Sequence, residues 1–86
     1  MTTHVVWTEK AERSLRRLDR ELVRRLRQAV MRLAETGHGD LVRLKPPFSG
    51  YRLRVGEWRM FVDLDNDSKT IIVLDVRPRG GAYNRD

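Results

Sequence analysis

Three arginines crowd one short stretch, Tyr51-Arg52-Leu53-Arg54-Val55-Gly56-Glu57-Trp58-Arg59-Met60-Phe61. Side chains alternate along a strand, so Tyr51, Leu53 and Val55 point one way and Arg52 and Arg54 the other. Gly56-Glu57 fits a two-residue hairpin turn with Gly at its first central position. That turn sets Val55 opposite Trp58, Leu53 opposite Met60 and Arg54 opposite Arg59. Like charges directly opposed across a ladder are destabilising. A guanidinium is a planar, permanently charged fork suited to phosphate, and a bound anion would relieve the repulsion. The chemistry to expect is therefore anion binding.

A second cationic group closes the chain, in Val76-Arg77-Pro78-Arg79-Gly80-Gly81-Ala82-Tyr83-Asn84-Arg85-Asp86. Arg77 leaves the end of a predicted strand, where Pro78 is expected to end ladder pairing. The glycine pair lets the backbone turn, and Tyr83 follows with an ionisable, stackable ring.

The elements that must position these groups read as follows. Val5-Val6-Trp7 suits a short strand. Thr8 is a good helix N-cap, with Glu9 and Glu12 in the first turn where the helix dipole favours acids. Ala11, Leu15, Leu18 and Leu22 fall on one helical stripe, and Leu22, Leu26, Ala29, Val30 and Leu33 form another. Asp19 caps the second helix and Gly37 stops it. This predicts an antiparallel helical hairpin over residues 8 to 36. Leu41 to Leu44 suits a short strand, and Pro46-Pro47-Phe48-Ser49-Gly50 is loop. Strands over 51–55, 58–64 and 70–76 follow, the last two joined by an Asn66-Asp67-Ser68-Lys69 turn. Alternation puts Trp58, Met60, Val62 and Leu64 on the face of Leu53, and Arg59, Phe61 and Asp63 on the face of Arg54. The expectation is one α+β domain over residues 1–86. A mainly antiparallel β-meander follows the helices, which pack on one sheet face. The other face carries arginines and an exposed Phe61.

Eighty-six residues support one domain with a modest core. The absence of cysteine excludes disulfides and thiolate metal sites. No apolar run approaches a membrane span, and Met1-Thr2-Thr3-His4 lacks the apolar segment of a signal peptide, so a cytoplasmic protein is expected. Net charge is +6, and fifteen of the eighteen basic residues are arginine. Solvated helix surface accounts for Arg13, Arg16, Arg17, Arg20, Arg24, Arg25, Arg27 and Arg32; it accounts less readily for the hairpin arginines. Nothing pairs His4 with His38, and Asp65 and Asp67 belong to a turn, so no metal site or other cofactor is expected.

The chain resembles the RelE branch of the RelE/ParE superfamily of bacterial toxins from toxin–antitoxin operons. The resemblance rests on Trp7 before the first helix, the Leu18-Asp19 break and Leu44-Lys45 before the sheet. It also rests on the Tyr-Arg-Leu-Arg-Val-Gly-x-x-Arg hairpin and the final Arg-x-Arg-x-x-x-Tyr. It implies a metal-independent, ribosome-dependent mRNA endonuclease that inhibits translation and is neutralised by a cognate antitoxin in a hetero-oligomer. By matching position, Arg52 and Arg54 bind substrate phosphates, with Lys45 and Arg79 as further RNA-contacting cations. Arg59 sits at the scissile phosphate, Arg77 stabilises the cleaving phosphate, and Tyr83 is the tail aromatic. Phe61, ringed by arginines, reads as a platform for a base.

Two departures bear on mechanism. Pro78 stands where many relatives carry a His, and Arg52 and Arg54 stand where the best-known relatives have lysines. Arginine stays protonated far above neutral pH and is a poor base. Tyr83 could transfer a proton only if the arginines lower its pKa; otherwise it stacks on a base. The general base therefore stays open. Two other functions also stay open: a ParE-type inhibitor of DNA gyrase with no enzymatic activity, and a weak homologue that mainly binds its antitoxin.

Overall fold

A computed structural model of the chain describes residues 4–79. The element order is β1 (His4–Trp7), α1 (Glu9–Arg16), α2 (Arg20–Thr36), β2 (Asp40–Arg43), β3 (Tyr51–Val55), β4 (Trp58–Asp65) and β5 (Thr70–Pro78). The five strands form one sheet in the order β1-β5-β4-β3-β2. β1 runs parallel to β5, and the other pairings are antiparallel. This is the α+β architecture expected from the patterning, with each predicted element present within one or two residues.

The helix ends follow from their caps. The Thr8 hydroxyl accepts from the Ala11 N–H at 3.1 Å, and the Asp19 carboxylate accepts from the Leu22 N–H at 2.9 Å. Each satisfies a donor that a helix start leaves without an intrahelical partner. Gly37 closes α2 at φ 78°, its N–H bonded to the Leu33 carbonyl at 2.9 Å. Ala11, Leu15, Leu26, Val30, Leu33 and Ala34 from the helices meet Leu53, Met60, Val62, Ile71, Val73 and Val76 from the sheet in one buried cluster. Trp7 and Trp58 pack against that cluster. Arg27 fastens α2 to its surroundings: its guanidinium grips both Glu12 oxygens, at 2.9 and 3.3 Å, and lies 4.9 Å over the Trp7 ring.

One irregularity reorients a whole strand end. Phe61 pairs with Asp75, but the next residue, Val62, pairs with Val73. Leu74 is thus an extra residue in β5, a β-bulge that reverses the phase of the alternation. Ile71 and Val73 face the core before it and Val76 after it, which turns Asp75 and Arg77 to the opposite face. The bulge is tied down by Thr8, whose hydroxyl donates to the Leu74 carbonyl and whose N–H donates to the Val73 carbonyl, both at 3.1 Å.

Two expectations are corrected. Pro78 does not end the ladder: it pairs with Trp58, and the Arg79 N–H donates to the Glu57 carbonyl at 2.8 Å. Proline is tolerated there because the strand is finishing and its carbonyl remains available. Phe61 is half-buried rather than exposed, because the face opposite the helices is partly roofed by the loop between β2 and β3.

Candidate functional site

The hairpin register sets Arg54 opposite Arg59, with Gly56 at φ 58° in the turn. The next ladder sets Arg59 opposite Arg77. Three guanidinium-bearing residues therefore form a row across β3, β4 and β5. The row beside it runs Arg52, Phe61, Asp75. By alternation both rows leave the sheet on the side away from the core residues Leu53, Met60 and Val76, and Asp75, past the end of the short β1, still reaches α1.

Over these rows sits a hollow of about 910 Å³. Arg52, Arg59, Phe61, Asp75 and Arg77 come to it from the sheet, and Lys45, Pro47 and Phe48 from the loop. Its volume lies within the range of small-molecule and nucleotide sites, about 300–1,000 Å³. Arg59 is only 4% exposed, so its charge lies at the floor while Arg52 and Arg77 stand half-exposed around it. A low-dielectric floor strengthens the field an anion would meet.

Asp75 organises the wall. Its Oδ2 accepts from Arg77 Nε at 2.7 Å and lies 3.6 Å from Lys10 Nζ. Its Oδ1 accepts from the Val76 N–H at 2.9 Å and from the Ser14 hydroxyl at 3.3 Å. Burial opposes its charged form, but the hydrogen bonds from Arg77 and Val76 and the charges of Lys10 and Arg77 outweigh it. The carboxyl is held below its ordinary range. Asp75 is thus an anion at neutral pH, and it leaves the terminal nitrogens of Arg77 for another partner.

Of the residues singled out from sequence, Arg52, Arg59, Phe61, Arg77 and Lys45 share the hollow. Arg54 does not line it; its Nη2 is paired with Asp40 on β2 at 2.7 Å. Arg79 lies past the strand, 3.9 Å from Glu57. Tyr83 lies outside the described residues. Sequence reasoning missed Asp75, Arg43 and Phe48. Asp75 carries no local signal, because the face it takes depends on the bulge. Arg43 borders the hollow and rests on Tyr51, with its carbon centre 5.6 Å from the ring. Phe48 falls in a segment that reads as loop, although a large apolar residue in a Pro-Pro-Phe-Ser-Gly run is itself a signal. Among the described residues no group of three or more His, Cys, Asp or Glu converges in a way that could hold a metal ion, and no helix is long and apolar enough to cross a membrane.

The fold recurs in solved toxin structures. The toxin–antitoxin complex RelBE2 of Mycobacterium tuberculosis matches with a TM-score of 0.82 at 21% identity, over 92% of this chain and 100% of that one. The RelE–RelB complex of Pyrococcus horikoshii matches at 0.77 and 24% identity, over 93% and 98%. A free-state mutant of Escherichia coli RelE matches at 0.77 and 14% identity, over 96% and 90%. No curated protein matches the sequence. The sequence model for the ParE toxin of type II toxin–antitoxin systems matches residues 5–83. That match spans nearly the whole chain, and the chain belongs to this toxin family, within the RelE/ParE superfamily.

Proposed function

We propose that this toxin is a metal-independent endoribonuclease that cleaves mRNA on the ribosome, in its A site, and so stops translation and growth. The observation that carries the reading is the hollow itself. Arg52, Arg59, Arg77 and Lys45 converge there beside the half-buried ring of Phe61. An array of fixed cations with an aromatic ring suits a ribose-phosphate linkage better than it suits a protein surface.

In the proposed reaction the ribose 2′-oxygen loses its proton and attacks the adjacent phosphorus. The O2′–P bond forms, the P–O5′ bond breaks, and the departing O5′ takes up a proton. The products are a 2′,3′-cyclic phosphate and a 5′-hydroxyl. Negative charge grows on the equatorial oxygens, where Arg59 from the floor and Arg77 from the wall supply prearranged positive charge. Arg52 and Lys45 hold the flanking phosphates. Arg54 reaches a phosphate only by exchanging its Asp40 partner, and Arg79 lies toward the tail, where Tyr83 stacks on a base or moves a proton. With no histidine beside Arg79, most of the rate comes from holding the nucleotide in line and stabilising charge. The ribosome supplies part of that pose.

The test is Arg77→Ala, expressed from an inducible promoter and followed by primer extension on cellular mRNA. The expected result is a folded protein whose cleavage falls by about 10²–10³-fold, the loss seen when one oxyanion donor is removed. Undiminished cleavage and toxicity would refute the assignment.

The match to the ParE family model favours a second reading, inhibition of DNA gyrase without catalysis. A supercoiling assay with purified gyrase separates the two, because an mRNA interferase leaves supercoiling unchanged.

The RelBE2 and RelE–RelB neighbours are toxin–antitoxin complexes, which supports a cognate antitoxin for this chain in a hetero-oligomer. Net charge of +6 suits an acidic amphipathic helix or extended segment laid over the helical hairpin or the basic hollow. Its binding should weaken as salt rises if the hollow is what it covers. Action on ribosomes makes the cytoplasm the site of function.

A further inference from the structure

Phe48 is 67% exposed, the most exposed large apolar side chain among the described residues. A single exposed phenylalanine needs no explanation by itself. This one borders the hollow that holds Arg52, Arg59, Arg77 and the ring of Phe61. Its loop is also braced rather than loose. The Phe48 N–H donates to the Lys45 carbonyl, and the Leu44 N–H donates to the Gly50 carbonyl, both at 3.0 Å. The apolar ring is therefore presented at the mouth of a cationic site by a loop closed at its neck.

From this juxtaposition we infer that Phe48 is a base-stacking residue. It takes the face of a nucleobase in single-stranded RNA next to the linkage held by the arginines. The inference rests on the RNA-cleavage reading above. Single-stranded RNA carries a charged backbone on one side and flat, unpaired bases on the other. A recognition site for it combines guanidinium groups with aromatic faces. The sheet supplies one ring, Phe61, half-buried among the cations, and the loop that borders the same hollow supplies the second. Every base has a stackable face, so Phe48 adds affinity for the strand and favours purines through their larger surface.

The experiment is single-turnover cleavage on ribosomes programmed with a defined mRNA, comparing the wild type with Phe48→Leu, Phe48→Trp and Arg77→Ala. Phe48→Leu keeps an apolar side chain and removes the ring. It is expected to raise the toxin concentration for half-maximal rate by about 5- to 150-fold, the range for losing one stacked base. The saturated rate should stay near that of the wild type, and Phe48→Trp should restore the affinity. An mRNA with an abasic nucleotide at the stacked position should erase the difference between wild type and Phe48→Leu. Equal half-maximal concentrations for wild type and Phe48→Leu, in a protein whose cleavage still requires Arg77, would overturn the stacking role and leave the nuclease reading intact. A wild type that cleaves nothing would overturn both. Weakened antitoxin binding by Phe48→Leu with unchanged cleavage would assign the ring to the protein partner and overturn the inference.

Discussion

Arg77 Nε donates to Asp75 Oδ2 at 2.7 Å, across a two-residue step of β5 that puts both side chains on one wall of the hollow. The other Asp75 oxygen is held by the Val76 N–H and by Ser14 of α1. Asp75 therefore connects the first helix to the arginine that faces the hollow, and it fixes the direction of that guanidinium. Asp75→Asn keeps the shape and removes the charge. We expect cleavage to fall by roughly 10-fold or more, because a charge-assisted hydrogen bond contributes about 1.5–3 kcal/mol. Asp75→Ala should cost about 1–3 kcal/mol in global stability, since it takes the side-chain acceptor from the buried Val76 N–H. Denaturant titration of both variants beside the wild type checks the second figure, and programmed-ribosome cleavage checks the first.

The acid limb of the stability curve should carry the Asp75 signature. Its folded-state pKa lies below the ordinary value of 3.8, chiefly because Arg77 and the Val76 N–H outweigh the effect of burial. A depressed carboxyl contributes stability that is fully present above its unfolded pKa and is lost as pH falls through its folded one. The wild type should exceed Asp75→Asn by a constant margin from neutrality down to about pH 5, and the margin should vanish in stronger acid. Melts at a series of pH values would show it. Equal stability of the two proteins at every pH would mean that Asp75 acts by shape alone.

Arg54, Arg59 and Arg77 form a row of like charges on adjacent strands, so a bound anion should stabilise the fold before any catalysis. Inorganic phosphate is the simplest probe. A ligand that binds only the native state at 100 times its dissociation constant adds about 2.7 kcal/mol. We expect phosphate to raise Tm in the wild type and to raise it much less in Arg77→Ala. Chloride at matched ionic strength separates binding from general screening. Equal shifts in the two proteins would dissociate Arg77 from anion binding.

The hairpin was legible because its signals are local. Gly56 fixes the turn, the turn fixes the register, and the register opposes Arg54 to Arg59. The helices were legible because Thr8, Asp19 and Gly37 punctuate them. The end of β5 was not. Counted by strict alternation, Asp75 and Arg77 fall in phase with Ile71 and Val73, on the core face. The extra residue at Leu74 reverses that phase, and it is held by Thr8, sixty-six positions away in sequence. No local pattern encodes a contact of that range. Arg77 was placed through family resemblance, whereas Asp75, without such help, was missed. The ion pair that holds Arg54 outside the hollow was hidden for a similar reason. Its partner Asp40 belongs to β2, and only sheet order brings the two together.

Two glycines at positive φ separate backbone strain from steric conflict, and they bear on the loop that carries Phe48. At Gly37 (φ 78°) an added methyl group meets nothing within 4 Å. Gly37→Ala should then cost only the left-handed penalty, about 1–2 kcal/mol. At Gly50 (φ 93°) the same methyl would stand 2.9 Å from the Val62 carbonyl oxygen and 2.7 Å from Asp63 Oδ1. The carboxylate can swing away, but the β4 backbone cannot. Gly50→Ala should therefore destabilise more than Gly37→Ala and should push the loop off the sheet. Because the Gly50 carbonyl accepts from the Leu44 N–H at the neck of that loop, amide exchange at Leu44 should accelerate in Gly50→Ala and stay slow in Gly37→Ala. Equal stability losses with equal Leu44 protection would mean that the loop accommodates the methyl without moving, and that Gly50 is required for its φ alone.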